Sequence, residues 1–195
     1  MTRAGRTASE ALLAQAQTVR SWLELLPADA MNRSSVVPGR AVGDVVDDVI
    51  SVLAELDERR PDASTGAEGV IGTRLVELIG YADDLNRSLP ELDPIPLLRA
   101  ALGRCTRTLA ALLPARYPGR SLEVRIPPYA AVQCATGGPG PTHTRGTPPN
   151  VVETDPLTFL RLATGRLSWA EALASGAVHA SGLRADLSAA LPLLT

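Results

Sequence analysis

The sequence predicts an α+β chain: an N-terminal four-helix bundle followed by a small α/β domain. Three observations lead there. From Thr7 to about Pro114, apolar residues recur at helical turn spacing in four separate segments. After Pro114 the chain changes to short β-branched runs set around proline and glycine. Between Asp155 and Ser181, two helices with their own start and stop signals lead into a closing strand.

The first segment repeats Leu12, Val19, Leu23 and Leu26. The second carries Val42, Val45, Val46, Val49, Leu53 and Leu56, and the third Ile71, Leu75, Leu78, Ala82, Leu85 and Leu89. The fourth carries Leu98, Leu102, Cys105, Leu109 and Leu112. Each set defines one apolar face, and such faces must be buried against one another. The breaks agree with four helices: Pro27 with the MNRSSVVPG loop, then RRPDASTG, then PELDPIP, where Pro94 and Pro96 stand at a helix entrance. ARYPGRS, from Ala115 to Ser121, reads as a linker, so the domains are expected at 7–114 and 121–195.

In the second domain, Leu122 to Ile126 and Ala130 to Cys134 read as short strands around a Pro-Pro turn. ATGGPGPT reads as a loop. Asp155 before Pro156 starts a helix, because the carboxylate accepts orphan N–H groups and proline at the first position loses no bond. Gly165 stops it. Ser168 and Glu171 form a capping box for a second helix ending at Gly176, and a strand is expected from Ala177 to Ser181. A segment of about 75 residues buries only ~60% of its unfolded surface, so this domain is expected to lean on the bundle.

Composition excludes several function classes. The chain has 195 residues, 45% hydrophobic and 21% charged, which suits a globular protein with a real core. A net charge of -2 leaves no electrostatic footprint for nucleic acid, and 3% aromatics leave few stacking platforms. No apolar run approaches the ~18 residues of a membrane span, and no apolar stretch follows the basic start, so a cytoplasmic location is expected. Cys105 and Cys134 stand far apart without C-x-x-C spacing and read as buried free thiols.

The order of elements around Asp155, Phe159, Leu162, Gly165, Arg166, Ser175, Gly176 and Gly182 resembles the C-terminal half of a sterol-carrier-protein-2-like domain, here with its early strands and helix shortened. The preceding HTRGTPPNVVETDP box resembles the actinobacterial sterol carrier family proteins. The loop and second helix, Ser35 to Val49, resemble the N-terminal bundle of the DinB-like, mycothiol-dependent maleylpyruvate isomerase family. Gly39, Val42 and Asp44 match its pattern, Arg40 replaces a tryptophan, and Asp48 stands at a histidine position. On the third helix Glu77 matches, but Tyr81 stands where a second histidine belongs. In family members that are metalloenzymes, those positions hold zinc, and mycothiol serves as thiol cofactor.

The resemblance therefore implies a degenerate metal site, since tyrosine with a pKa near ~10 is a poor replacement for imidazole. Asp48 is alternatively a solvated acid on its helix face and Tyr81 a packed ring. An Asp48–Glu77 carboxylate pair for calcium or magnesium also stays open. His143 suits a general base by its ordinary pKa near ~6.5, yet no serine or cysteine is tied to it by spacing, and His179 alternates within a strand. The box around Arg145, Thr147, Asn150, Glu153 and Thr154 offers Arg145 as a bidentate holder of a carboxylate. The alternative there is structural: a Pro148-Pro149-Asn150 turn in which Asn150 satisfies backbone groups, with Glu153 paired to an arginine.

The leading expectation, from the resemblance, is a non-catalytic or catalytically degenerate small-molecule-binding member of the maleylpyruvate isomerase and sterol-carrier superfamily. It would take an apolar or carboxylated ligand, lipid included, between bundle and sheet, at Asp48, Glu77, Tyr81, Arg145 and Asn150. No cofactor and no metal are expected in this reading. The alternative is a mycothiol-dependent isomerase or transferase holding a divalent metal by unusual ligands. A third reading is an interaction protein that forms a homodimer.

Overall fold

A computed structural model describes residues 7–58, 67–136 and 150–194. The chain is mixed α+β, with six α-helices and a four-stranded sheet among the described residues. It divides into two compact units, residues 1–105 and 106–195.

In the first unit, helix α1 (Ala8–Leu23) starts on a capping box. The Thr7 hydroxyl accepts from the Glu10 backbone N–H at 3.2 Å, and the Glu10 carboxylate accepts from the Thr7 N–H at 2.8 Å. Helix α2 (Val42–Glu58) buries all six apolar residues of its expected stripe. Helix α3 (Ala67–Ser88) buries Ile71, Leu75, Leu78, Ala82 and Leu85, and Leu89 is buried just beyond its end. Helix α3 packs against both α1 and α2. A 3-10 turn (Ala28–Asn32) and a loop closed by a Ser34–Ala41 β-bridge join α1 to α2.

Gln15, fully buried on α1, holds the segment that leads into the fourth helix. Its amide donates to the Pro96 carbonyl at 3.0 Å and its carbonyl accepts from the Leu98 N–H at 2.8 Å. A buried amide stays in a core only when both of its ends are bonded, as here.

Helix α4 (Arg99–Arg116) departs from its expected stripe. Cys105 and Leu109 are buried, but Leu98, Leu102 and Leu112 are half-buried, while Ala101, Thr106, Ala110 and Leu113 are inside. Small residues make up part of the packed face, and a pattern drawn only from large apolar residues misses them. The helix also passes Pro114 by two residues. There the proline forgoes its own N–H bond and its ring crowds the Ala110 carbonyl, one turn back, so only two residues follow it in the helix.

In the second unit, β1 (Leu122–Ile126) and β2 (Ala130–Cys134) form the expected hairpin, pairing antiparallel from Leu122↔Cys134 to Ile126↔Ala130. Strand β3 (Val151–Thr154) runs parallel to β1, and β4 (Val178–Ser181) runs antiparallel to β3, giving the order β2-β1-β3-β4. Sequence reading did not assign β3 as a strand, although it lies between β1 and β4. Helices α5 (Pro156–Ala163) and α6 (Trp169–Ala174) begin at Asp155 and Ser168 as expected. Gly165 and Gly176 follow them at φ of 72° and 73°, the left-handed conformation that ends a helix without a Cβ penalty.

One sheet face carries Leu122, Val124, Ile126, Cys134, Val152 and Val178 into the core. Phe159, Leu160, Leu162 and Ala163 of α5 are buried too. Alternation along the strands sends Glu123, Arg125, Gln133, Glu153 and His179 to the opposite face.

Candidate functional site

The loop before α2 is built around the Arg40 backbone. The Arg40 carbonyl accepts from the Ser35 N–H at 3.0 Å, the Arg40 N–H donates to Val37 at 3.2 Å, and Gly39 turns the chain at φ 75°. Asp44 reaches back from the first turn of α2 to accept the Ala41 N–H at 2.7 Å. A cavity of about 300 Å³ lies in this loop, lined by Asn32, Ser34, Ser35, Gly39, Arg40 and Ala41.

That construction aims the Arg40 side chain along α2. Its guanidinium donates to the Asp48 carboxylate at 2.6 Å and to the Asp44 carbonyl at 2.5 Å. The Asp48 hydrogen bond, opposed by desolvation and aided by the charges of Asp48, Asp44 and Tyr81, raises the Arg40 pKa above its ordinary value. Asp48 and Tyr81 are thus both within the field of one arginine. The sequence marked Arg40 only as a substitution for tryptophan.

Glu77 belongs to a different cluster. Arg74 donates to it at 2.7 Å and also pairs with Glu55 across the α2–α3 contact. The Glu77 hydrogen bond is the largest of the effects raising the Arg74 pKa. Further along α3 lie two acids that sequence reasoning passed over. Asp83 and Asp84 are 3% and 1% exposed, with Arg87 at 3.3 Å and 2.7 Å respectively. The signal was present: an arginine three and four residues after two acids shares their helix flank.

Asp48 and Glu77 are each paired with a guanidinium, and Tyr81 offers a phenol where imidazole is a usual zinc donor. Among the described residues, no group of three or more His, Cys, Asp or Glu is placed to hold a metal ion.

Asn150, in the second unit, is 5% exposed, and its amide is bonded at both ends. It donates to the Ser121 carbonyl at 2.7 Å and accepts from the Arg184 N–H at 2.9 Å. This amide ties the start of β1 and the segment after β4 to the start of β3. Arg145, Thr147, His143 and the Pro148-Pro149 half of the expected turn lie outside the described residues. His179 is exposed on β4 and faces Glu153 in the ladder.

Residues 98–193 match the family described as bacterial SCP ortholog, which supports a sterol-carrier-family C-terminal domain. The match begins at the start of α4, ahead of the linker from which the second domain was expected. No curated protein matches the chain significantly. Among the described residues, no helix is long and apolar enough to cross a membrane.

Proposed function

We propose that this protein binds a small apolar or carboxylated molecule without transforming it, and that the α2–α3 residues aligned with a family metal site no longer serve a metal. The single observation carrying this reading is the 2.6 Å contact of Arg40 with Asp48. A guanidinium fills the role of counter-charge that a dication would otherwise take, and arginine cannot give up its proton to make room. The match of the C-terminal half to a sterol-carrier family is consistent with small-molecule binding. In this reading Tyr81 donates a hydrogen bond to the ligand.

Native mass spectrometry and metal analysis of the untagged full chain test the proposal together. The expected result is a co-purifying organic molecule with no stoichiometric metal. A stoichiometric divalent ion, lost only on unfolding, would overturn it in favour of the mycothiol-dependent isomerase or transferase reading.

A further inference from the structure

The open face of the sheet carries two cross-strand rows. One runs Gln133, Glu123, Val151, Ser181; the other runs Ala131, Arg125, Glu153, His179. Opposite charges facing each other on neighbouring strands ordinarily pair. Arg125 and Glu153 are such neighbours and do not. Arg125 instead donates from Nε to Glu123 at 2.5 Å, two residues along its own strand. That leaves both Nη groups of Arg125 and the whole Glu153 carboxylate without a partner among the described residues.

A groove of about 410 Å³, open to the surface, lies at this place. Arg125 and Glu153 line it, with Pro127, Pro128, Tyr129 and Ala131 as its apolar side. The charge pattern narrows the chemistry of an occupant. An anion alone would meet Glu153 and Glu123, and a cation alone would meet Arg125. A molecule bearing both signs satisfies both free groups at once. Neighbouring strands lie about 5 Å apart, so the two charges of the ligand must be similarly close. The prolines and the Tyr129 ring favour an apolar or aromatic remainder.

We propose that this face of the second unit is a binding site for a zwitterionic amino acid or short amino-carboxylate with an apolar side chain. Its carboxylate engages the Arg125 Nη groups and its ammonium engages Glu153. The site involves none of Asp48, Glu77 or Tyr81 and goes beyond the reading given above.

The test is an amide NMR titration of the full chain with L-phenylalanine, phenylacetate and 2-phenylethylamine. L-phenylalanine is expected to shift the amides of Arg125, Ala130, Ala131 and Glu153 saturably, and to bind about tenfold more tightly than either single-charge analogue. Glu153→Gln should remove the preference over phenylacetate, and Arg125→Gln the preference over 2-phenylethylamine. Both are solvent-facing changes that leave the core untouched. Absence of saturable shifts, equal binding of the three probes, or unaltered preferences in the variants would overturn the assignment. So would a co-purified ligand whose removal leaves these four amides unmoved, and that outcome would leave the small-molecule reading intact.

Discussion

Arg40 and Asp48 form a 2.6 Å ion pair that joins the loop before α2 to the second turn of that helix. Both side chains are about one-third exposed, so the pair contributes to stability only on the scale of a surface bridge, about 0.5–1 kcal/mol. Its larger effect is chemical, because it sets what else the carboxylate can hold.

Restoring imidazoles alone should therefore be insufficient for metal uptake. Asp48→His with Tyr81→His leaves the Arg40 positive charge beside both new ligands. Adding Arg40→Ala removes it, and the triple variant should bind zinc at least about tenfold more tightly than the double, measured by competition with a chelating dye. Equal affinities would show that Arg40 does not guard the position.

Asn150→Ala should lower the unfolding free energy by roughly 2–4 kcal/mol, because the Ser121 carbonyl and the Arg184 N–H lose their partner together. Urea denaturation measures this. Asn150→Asp should be little better, since a carboxylate accepts from Arg184 but cannot donate to Ser121. A loss below about 0.5 kcal/mol in the alanine variant would contradict the fastening role.

Gly119 precedes β1 at φ 152°, and a Cβ there would overlap the methyl of Ala135. Gly119→Ala should cost roughly 2–5 kcal/mol from overlap and backbone strain combined. Ala135→Gly in the same chain should recover the overlap part and leave the strain. Thermal unfolding of the single and double variants separates the two.

Burial pushes the Cys134 thiol up to about 11, against an ordinary value of 9.0. The folded state favours the protonated thiol, so this contribution is fully present below about pH 9 and is lost as pH rises towards 11. The stability difference between the natural chain and Cys134→Val should shrink over that window, read from urea midpoints at successive pH values. Iodoacetamide should modify Cys134 slowly at pH 8 while the chain is folded. Rapid alkylation under those conditions would contradict the burial argument.

Much of the architecture was legible because it is written locally. Asp155-Pro156, the Ser168–Glu171 capping box, Gly165 and Gly176 each act within one helical turn, and the chain folds there as read. The stripes of α2 and α3 were equally plain. Strand β3 was not, since Val151–Thr154 is only four residues long and its neighbours β1 and β4 are far away in sequence. Gln15 escaped for a related reason: a buried polar residue makes sense only through its partners, and Pro96 and Leu98 are far from it in sequence.

The candidate site divided along the same line. Resemblance alone singled out Asp48, Glu77 and Tyr81; of these, Asp48 and Tyr81 fall under a common influence. The residue exerting it, Arg40, reaches Asp48 from a loop, a contact no helix spacing rule describes. The Arg125–Glu153 juxtaposition needed the β1–β3 register, and that register was invisible until β3 was recognised.

Helix α4 runs unbroken from Arg99 to Arg116, while the compact units divide after Cys105 and the family similarity begins at residue 98. A C-terminal fragment started at Ser121 would lose Leu109 and Leu113, and with them Arg116, whose guanidinium holds the Leu193 carbonyl. The place to cut for an autonomous fragment is PELDPIP, upstream of that helix, where proline has already interrupted the backbone.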